Sequence, residues 1–351
     1  MKIKIWTAEL ILANPWAIAS DVKNGTATGR RSGLVYLVEL SDNTGLSGIG
    51  ESSPPARYKE SAATVNEFLH KVDANKLSFD DIPGSMAYLE TIAGGNYSAK
   101  NAINIALVDA VAKRAGKAVY DWLGLGFTEN KHITSFTIGI DAPDIIRKKV
   151  LEAVNYPVLK LKVGSPDDRE NMKALRDAAP TKTVRVDGNE GWKTKEEALK
   201  NIEWFAQDKH VEYVEQPMPA STPIQDMIWL KERSPLPLYG DESYHNAKDI
   251  SVVSQCFHGV NVKLVKTGGI TPAFEALTVA RKAGMKTMIG CMIESSVLIT
   301  AAAHLAELAD HLDIDGNLLI TNDPFIGSSG KDGKVSFANT PEKIGLRVRA
   351  R

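Results

Sequence analysis

After Gly124-Leu125-Gly126 the chain alternates short apolar runs with amphipathic helical stretches. The runs end near Gly139, Lys162, Asp187, Glu215, Asp241, Lys266, Gly290 and Asp315. From Lys162 to Lys266 these ends lie 25, 28, 26 and 25 residues apart. That interval holds one β-strand, one helix and two loops, and eight such units are what a closed parallel barrel requires. The predicted fold class is therefore α/β, a (β/α)8-type TIM barrel over residues 126–318.

Residues 1–125 read differently. Gly33–Leu40 alternates as a strand, Ser41-Asp42-Asn43-Thr44-Gly45 is a turn, and Leu46–Glu51 is a second strand. Between the first two strands lies Ala13–Arg31, rich in Gly, Thr, Ser and Asn, a length expected of a substrate-covering lid. From Ser61 to about Leu123 the periodicity is helical, as in Ala99–Arg114 with Ile103, Ala106, Leu107 and Ala110 on one face. Strands followed by helices predict a separate α+β capping domain. Residues 319–351 carry few helix signals and are expected to return to that domain.

Charge narrows the partners. Lys+Arg 42 against Asp+Glu 43 gives no electrostatic case for nucleic acid or an anionic membrane surface. Met1–Trp6 alternates like a strand and lacks the apolar core of a secretion signal. The richest apolar stretch, near Val297–Ala303, is too short to span a bilayer. Two cysteines, Cys256 and Cys291, are too few for a disulfide framework, so a reducing cytoplasm is expected.

The chemistry collects at strand ends. Val158-Leu159-Lys160-Leu161-Lys162 puts Lys160 and Lys162 on one face, with the leucines on the other. Two ammonium groups side by side call for anions opposite. Asp187, Glu215 and Asp241 end three successive later runs, and barrel sites lie at the C-terminal strand ends. Singly, each acid reads as a helix cap or turn residue. Together they make an oxygen-rich site suited to Mg²⁺. In the sixth unit Lys263 competes with Lys266, and we favour Lys266 because it stands at the expected strand end. Thr267-Gly268-Gly269 behind it lets backbone approach a ligand.

Lys160-x-Lys162, Asp187, Glu215, Asp241 and Lys266-Thr-Gly-Gly, in this order, resemble the muconate-lactonising-enzyme subgroup of the enolase superfamily. The resemblance covers nearly the whole chain and implies an enolase-like modified barrel. It implies an isomerase with one Mg²⁺ per subunit on Asp187, Glu215 and Asp241. Lys162 and Lys266 would be acid/base catalysts on opposite substrate faces, and Lys160 would hold the substrate carboxylate. A lysine or histidine base with Mg²⁺ stabilising an ene-diolate is the known strategy of that superfamily. A homo-oligomer is expected.

Within the subgroup, Gly290–Ser296 and His311-Leu312-Asp313-Ile314-Asp315 resemble the dipeptide epimerases, where an aspartate pair binds the substrate's α-ammonium. The resemblance adds Thr137, Met292, Ile293, Ser295, Asp313 and Asp315 as substrate contacts. The function expected is epimerisation at the C-terminal residue of a dipeptide by two-base 1,1-proton transfer, on peptides from cell-wall turnover. The alternatives are an N-acylamino acid racemase, an o-succinylbenzoate synthase or a cycloisomerase of the same subgroup. A non-catalytic peptide-binding barrel is the alternative of another class. Relatives acting on Ala-Glu carry an arginine on the first loop, at a position matching Asn24-Gly25-Thr26, where this chain has none. A small or apolar C-terminal residue is therefore expected.

Overall fold

The computed structural model describes residues 1–23 and 26–351. The position at Asn24-Gly25, where the arginine of Ala-Glu relatives would fall, lies outside the described residues. Three antiparallel strands, β1 (Lys2–Trp16), β2 (Arg30–Ser41) and β3 (Ser47–Ser52), form the capping sheet. Against it pack α1 (Ala62–His70) and α3 (Tyr97–Arg114), and α2 (Ile82–Ile92) packs on α3. Helix α3 is buried on nearly every face because the sheet, its sister helices and the barrel all press on it.

The predicted loop over residues 13–31 is shorter than expected. β1 continues to Trp16 because Leu12 bridges to Ile320 and Ala13 N donates to Leu319 O, both from the C-terminal segment. Beyond Trp16, Ala17 and Ala19 meet the residues that follow the first two barrel strands. Ile140 N donates to Ala17 O at 3.0 Å. Gly164, at φ +105°, must be glycine here, since a Cβ would meet the Ala19 Cβ at 2.7 Å.

Eight parallel strands follow in consecutive order: β4 (Phe136–Ile138), β5 (Val158–Lys162), β6 (Thr183–Asp187), β7 (Val211–Glu215), β8 (Leu238–Gly240), β9 (Gly259–Val262), β10 (Lys286–Gly290) and β11 (His311–Asp313). Their linking helices are α4 (Pro143–Glu152), α5 (Asp168–Ala178), α6 (Lys195–Phe205), α7 (Ile224–Arg233), α8 (Ile250–Cys256), α9 (Ile270–Lys282) and α10 (Ser296–Ala303). After β11 a 3-10 turn at Gly316–Leu318 stands where an eighth helix would be. The sixth run ends at Val262 rather than Lys266, because the chain enters a helical turn at Leu264–Thr267. The C-terminal segment returns to the cap, with Val119 N donating to Gly345 O at 3.0 Å. Among the described residues no helix is long and apolar enough to cross a membrane.

Candidate active site

Register brings the charged strand ends together. Lys162 pairs with Asp187 across β5–β6, and Asp187 with Glu215 across β6–β7. Because side chains alternate, Lys160 and Lys162 both point into the barrel. Lys160 lies deeper, and its Nζ stands 2.9 Å from Asp187 Oδ2, 2.7 Å from Glu215 Oε2 and 2.6 Å from Asp313 Oδ2. Among the described residues, Lys162 Nζ pairs with Asp187 Oδ2 alone, at 2.7 Å.

Asp241 follows β8 and faces two lysines. Lys263, the residue after β9, is still extended (φ −120°, ψ 132°) and puts Nζ 2.8 Å from Asp241 Oδ2. Lys266 sits in the helical turn behind it. Its Nζ donates to Asp241 Oδ1, to Asp241 O at 2.6 Å and to Asn261 O at 3.0 Å. An ammonium has three N–H bonds, so Lys266 is saturated where it stands. Burial lowers its pKa, which alone would suit a base, but its geometry leaves no hydrogen free toward the mouth. Asn261, two residues before Lys263 and so on the same inward face, donates Nδ2 to Glu215 Oε1 at 2.7 Å. Gly290 makes the space, since a Cβ there would sit 2.6 Å from Asn261 Oδ1 and 3.0 Å from Lys263 Cε.

The charge balance is lopsided. Seven buried carboxyls (Asp187, Glu215, Asp241, Glu242, Glu294, Asp313, Asp315) face four buried ammoniums (Lys160, Lys162, Lys263, Lys266). Burial and neighbouring acids push Glu215 up to about 7 and Glu242 up to about 8. Burial and Glu51 push Glu294 up to about 8, while burial and Asp313 push Asp315 up to about 7. Asp313 is pressed upward by burial, yet Lys160 and Lys162 outweigh that and hold it at about 2. Lys160 is likewise disfavoured by burial but held well above the ordinary lysine value by Asp187, Asp313 and Glu215.

These residues fit a hard divalent cation. Glu215 Oε2, Asp241 Oδ2 and Glu242 Oε2 are buried without a directed hydrogen bond; the lysines near the first two touch them off-axis. Oxygen donors in anionic surplus are what Mg²⁺ takes. Among the described residues no three His, Cys, Asp or Glu side chains are drawn together as a formed metal centre, because the Lys160 ammonium stands between Asp187 and Glu215.

The remaining expected contacts divide. Thr137 N donates to Asp315 Oδ2 at 2.6 Å and Thr137 Oγ1 to Asp313 Oδ1 at 3.3 Å, so all three stand together. Met292 is half-buried, and its neighbour Cys291 reaches Asp315 Oδ1 with Sγ at 3.8 Å. Ile293 instead packs into the cap with Leu10, Leu12 and Val35. Ser295 caps α10 and gives its N and Oγ to Glu51 of β3, the N at 2.9 Å. Sequence reasoning passed over Glu51, Glu242, Asn261 and Glu294. The signal available was a polar residue at an inward position of an otherwise apolar strand, as at Asn261 and Glu51.

Residues 7–124 match the family described as mandelate racemase / muconate lactonizing enzyme, N-terminal domain, and residues 146–337 match enolase C-terminal domain-like. The chain is 61% identical over 351 residues, all of both proteins, to the L-Ala-D/L-amino acid epimerase of Pedosphaera parvula. It is 35% identical over 346 residues, 97% of this chain and 86% of the relative, to the L-Ala-D/L-Glu epimerase of Bacteroides thetaiotaomicron. The dipeptide epimerase of Enterococcus faecalis, solved with Mg and the dipeptide L-Leu-L-Tyr, superposes with a TM-score of 0.89 at 28% identity, covering 100% of this chain and 99% of that one.

Proposed function

The chain belongs to the mandelate racemase / muconate lactonizing enzyme family of the enolase superfamily, and on that premise we infer that it is a dipeptide epimerase. It inverts the α-carbon of a dipeptide's C-terminal residue. The observation that carries the two-base reading is the placement of Lys162 and Lys263. They end the second and sixth of eight consecutive strands, diametrically opposite, with Asp187, Glu215 and Asp241 between them.

We assign Lys162 and Lys263, not Lys266, as the acid/base pair. One amine takes the α-proton while the electron pair moves onto the substrate carboxylate. The opposite ammonium then delivers a proton to the other face, and inversion results. Asp187, Glu215 and Asp241 would hold one Mg²⁺, with Lys160 beside them. Bound there, the ion would supply Lewis-acid charge for the substrate carboxylate, and its charge on Asp241 would offset the pull with which that carboxylate holds the Lys263 pKa up against burial. Asp313 and Asp315 read the substrate's α-ammonium through charge-assisted hydrogen bonds. The absence of an arginine at 24–26 favours a small or apolar C-terminal side chain.

The test compares L-Ala-L-Ala with its N-acetyl form in D₂O. Deuterium incorporation with epimerisation is expected for the free dipeptide, and a rate lower by about 10²-fold for the acetylated one. Equal rates would make an N-acylamino acid racemase the better reading.

A further inference from the structure

The barrel is closed by side chains where its backbone ladder stops. β11 pairs with β10 at Met288–His311, Ile289–Leu312 and Gly290–Asp313, but among the described residues its ladder to the first-strand segment is the single Thr134–Leu312 bridge. Across this seam Ser135 N donates to Leu312 O at 3.1 Å, and Ser135 Oγ to Asp313 Oδ1 at 2.7 Å. Asp315 Oδ2 accepts Thr137 N, taking the place a strand carbonyl holds elsewhere in the sheet.

Arg185 ties the seam from inside. It points inward from β6, in register with Lys160, and is 5% exposed. Its NH1 donates to the same Leu312 O at 3.0 Å, its NH2 to His311 Nδ1 at 3.0 Å, and its Nε to Glu212 Oε2 at 2.7 Å. The guanidinium thus grips the two residues before Asp313 from a strand three positions away around the barrel. A planar fork fixes several acceptors at once, which the single ammonium of lysine does not reproduce.

We propose that Arg185 and Ser135 are positioning residues that enforce the demand for a free amino terminus, by holding the Leu312–Asp313 segment against the first strand. This rests on the dipeptide reading, in which Asp313 and Asp315 receive the α-ammonium. Neither residue is among those assigned to substrate or metal, and their hydrogen bonds run to Asp313, Leu312, His311 and Glu212. Their removal therefore acts on how well that carboxylate pair is aimed, and not on the proton-transfer lysines.

The experiment measures kcat and KM for L-Ala-L-Ala and N-acetyl-L-Ala-L-Ala in wild type, Arg185→Lys and Ser135→Ala. Mg²⁺ affinity by calorimetry and near-UV circular dichroism are recorded alongside. Loss of one well-aimed charge-assisted bond predicts a KM for the free dipeptide raised about tenfold in Arg185→Lys and about threefold in Ser135→Ala. The free-to-acetylated ratio falls by the same factors, while kcat and Mg²⁺ affinity stay within about twofold. If Arg185→Lys does not fold, Ser135→Ala decides alone. A ratio unchanged in the folded variants, or a loss shared equally by kcat and Mg²⁺ affinity, overturns the inference. Equal rates in the wild type instead remove the amino-terminus reading, and this inference with it.

Discussion

Two strand ends each carry two lysines, and they use them in unlike ways. On β5, Lys160 and Lys162 are two residues apart on one regular strand, so both face inward and differ only in depth. After β9, Lys263 and Lys266 are three apart, and the chain has already turned helical between them. Yet each pair divides alike. Lys160 is engaged by three carboxylates and Lys266 by a carboxylate and two carbonyls, whereas Lys162 and Lys263 each meet one carboxylate. On the proposed two-base reading, saturation of the ammonium, more than burial, separates the lysines that hold the site from those assigned to exchange a proton.

The largest effects test that division. Lys162→Ala and Lys263→Ala should each stop epimerisation, a loss of about 10⁴-fold or more, while each variant still exchanges the α-proton of one stereoisomer in D₂O. Lys266→Ala should retain at least about tenfold more activity than Lys263→Ala, since it loosens Asp241 without removing a base. A dead Lys266→Ala beside an active Lys263→Ala would reverse the assignment.

Next come the carboxylates shared by both pairs. Glu215→Gln, or exhaustive EDTA treatment, should abolish turnover with the fold intact by circular dichroism, and Mg²⁺ should restore the EDTA-treated enzyme. Full activity after EDTA would detach the metal from both pairs. Lys160→Met should cost about 3–5 kcal/mol of stability, since it leaves buried Asp187, Glu215 and Asp313 without their common ammonium. Part of that loss should return on adding Mg²⁺ during urea unfolding. An unchanged midpoint would show that Lys160 is not the saturated partner.

The smallest expected effect comes from a buried group saturated in its neutral form. His304 Nδ1 accepts Tyr120 N at 3.2 Å and Nε2 donates to Leu346 O at 3.0 Å, joining barrel, cap and C-terminal segment. Burial lowers its pKa from 6.5 to about 3. Between those values the unfolded chain binds a proton that the folded chain refuses, so this stabilisation is full above pH 6.5 and is lost as pH falls toward 3. His304→Gln, which keeps one acceptor and one donor, should flatten the acid limb of stability against pH. An unchanged acid limb would assign that limb to the carboxylates at the mouth.

Much of the site was legible. The 25- to 28-residue spacing predicted the barrel, and Lys162, Asp187, Glu215 and Asp241, which close four of its runs, each lie within 3 Å of an oppositely charged side chain. Lys266 was expected at a strand end because the apolar pattern alone placed that end. Val265 continues that pattern, but residues 264–267 form a helical turn whose amide hydrogens bond locally. Ile293 and Ser295 were expected as substrate contacts from the resemblance of Gly290–Ser296 to the dipeptide epimerases. Only the cap, brought there from Leu10, Leu12, Val35 and Glu51, shows that they face a domain joint.

Two periods are written locally in this chain. Alternation along a strand decided that Lys160 and Lys162 share a face, and the βα repeat decided that Asp187, Glu215 and Asp241 lie on successive strand ends. Both follow from backbone geometry that neighbouring residues specify. Which lysine is saturated, what holds Asp313, and how the barrel closes were settled only by contacts between residues far apart in the chain. Arg185 meets Leu312 across 127 positions, Ser135 meets Asp313 across 178, and Ser295 meets Glu51 across 244. No local pattern encodes such pairs, because a buried donor takes whichever acceptor the folded chain brings to it.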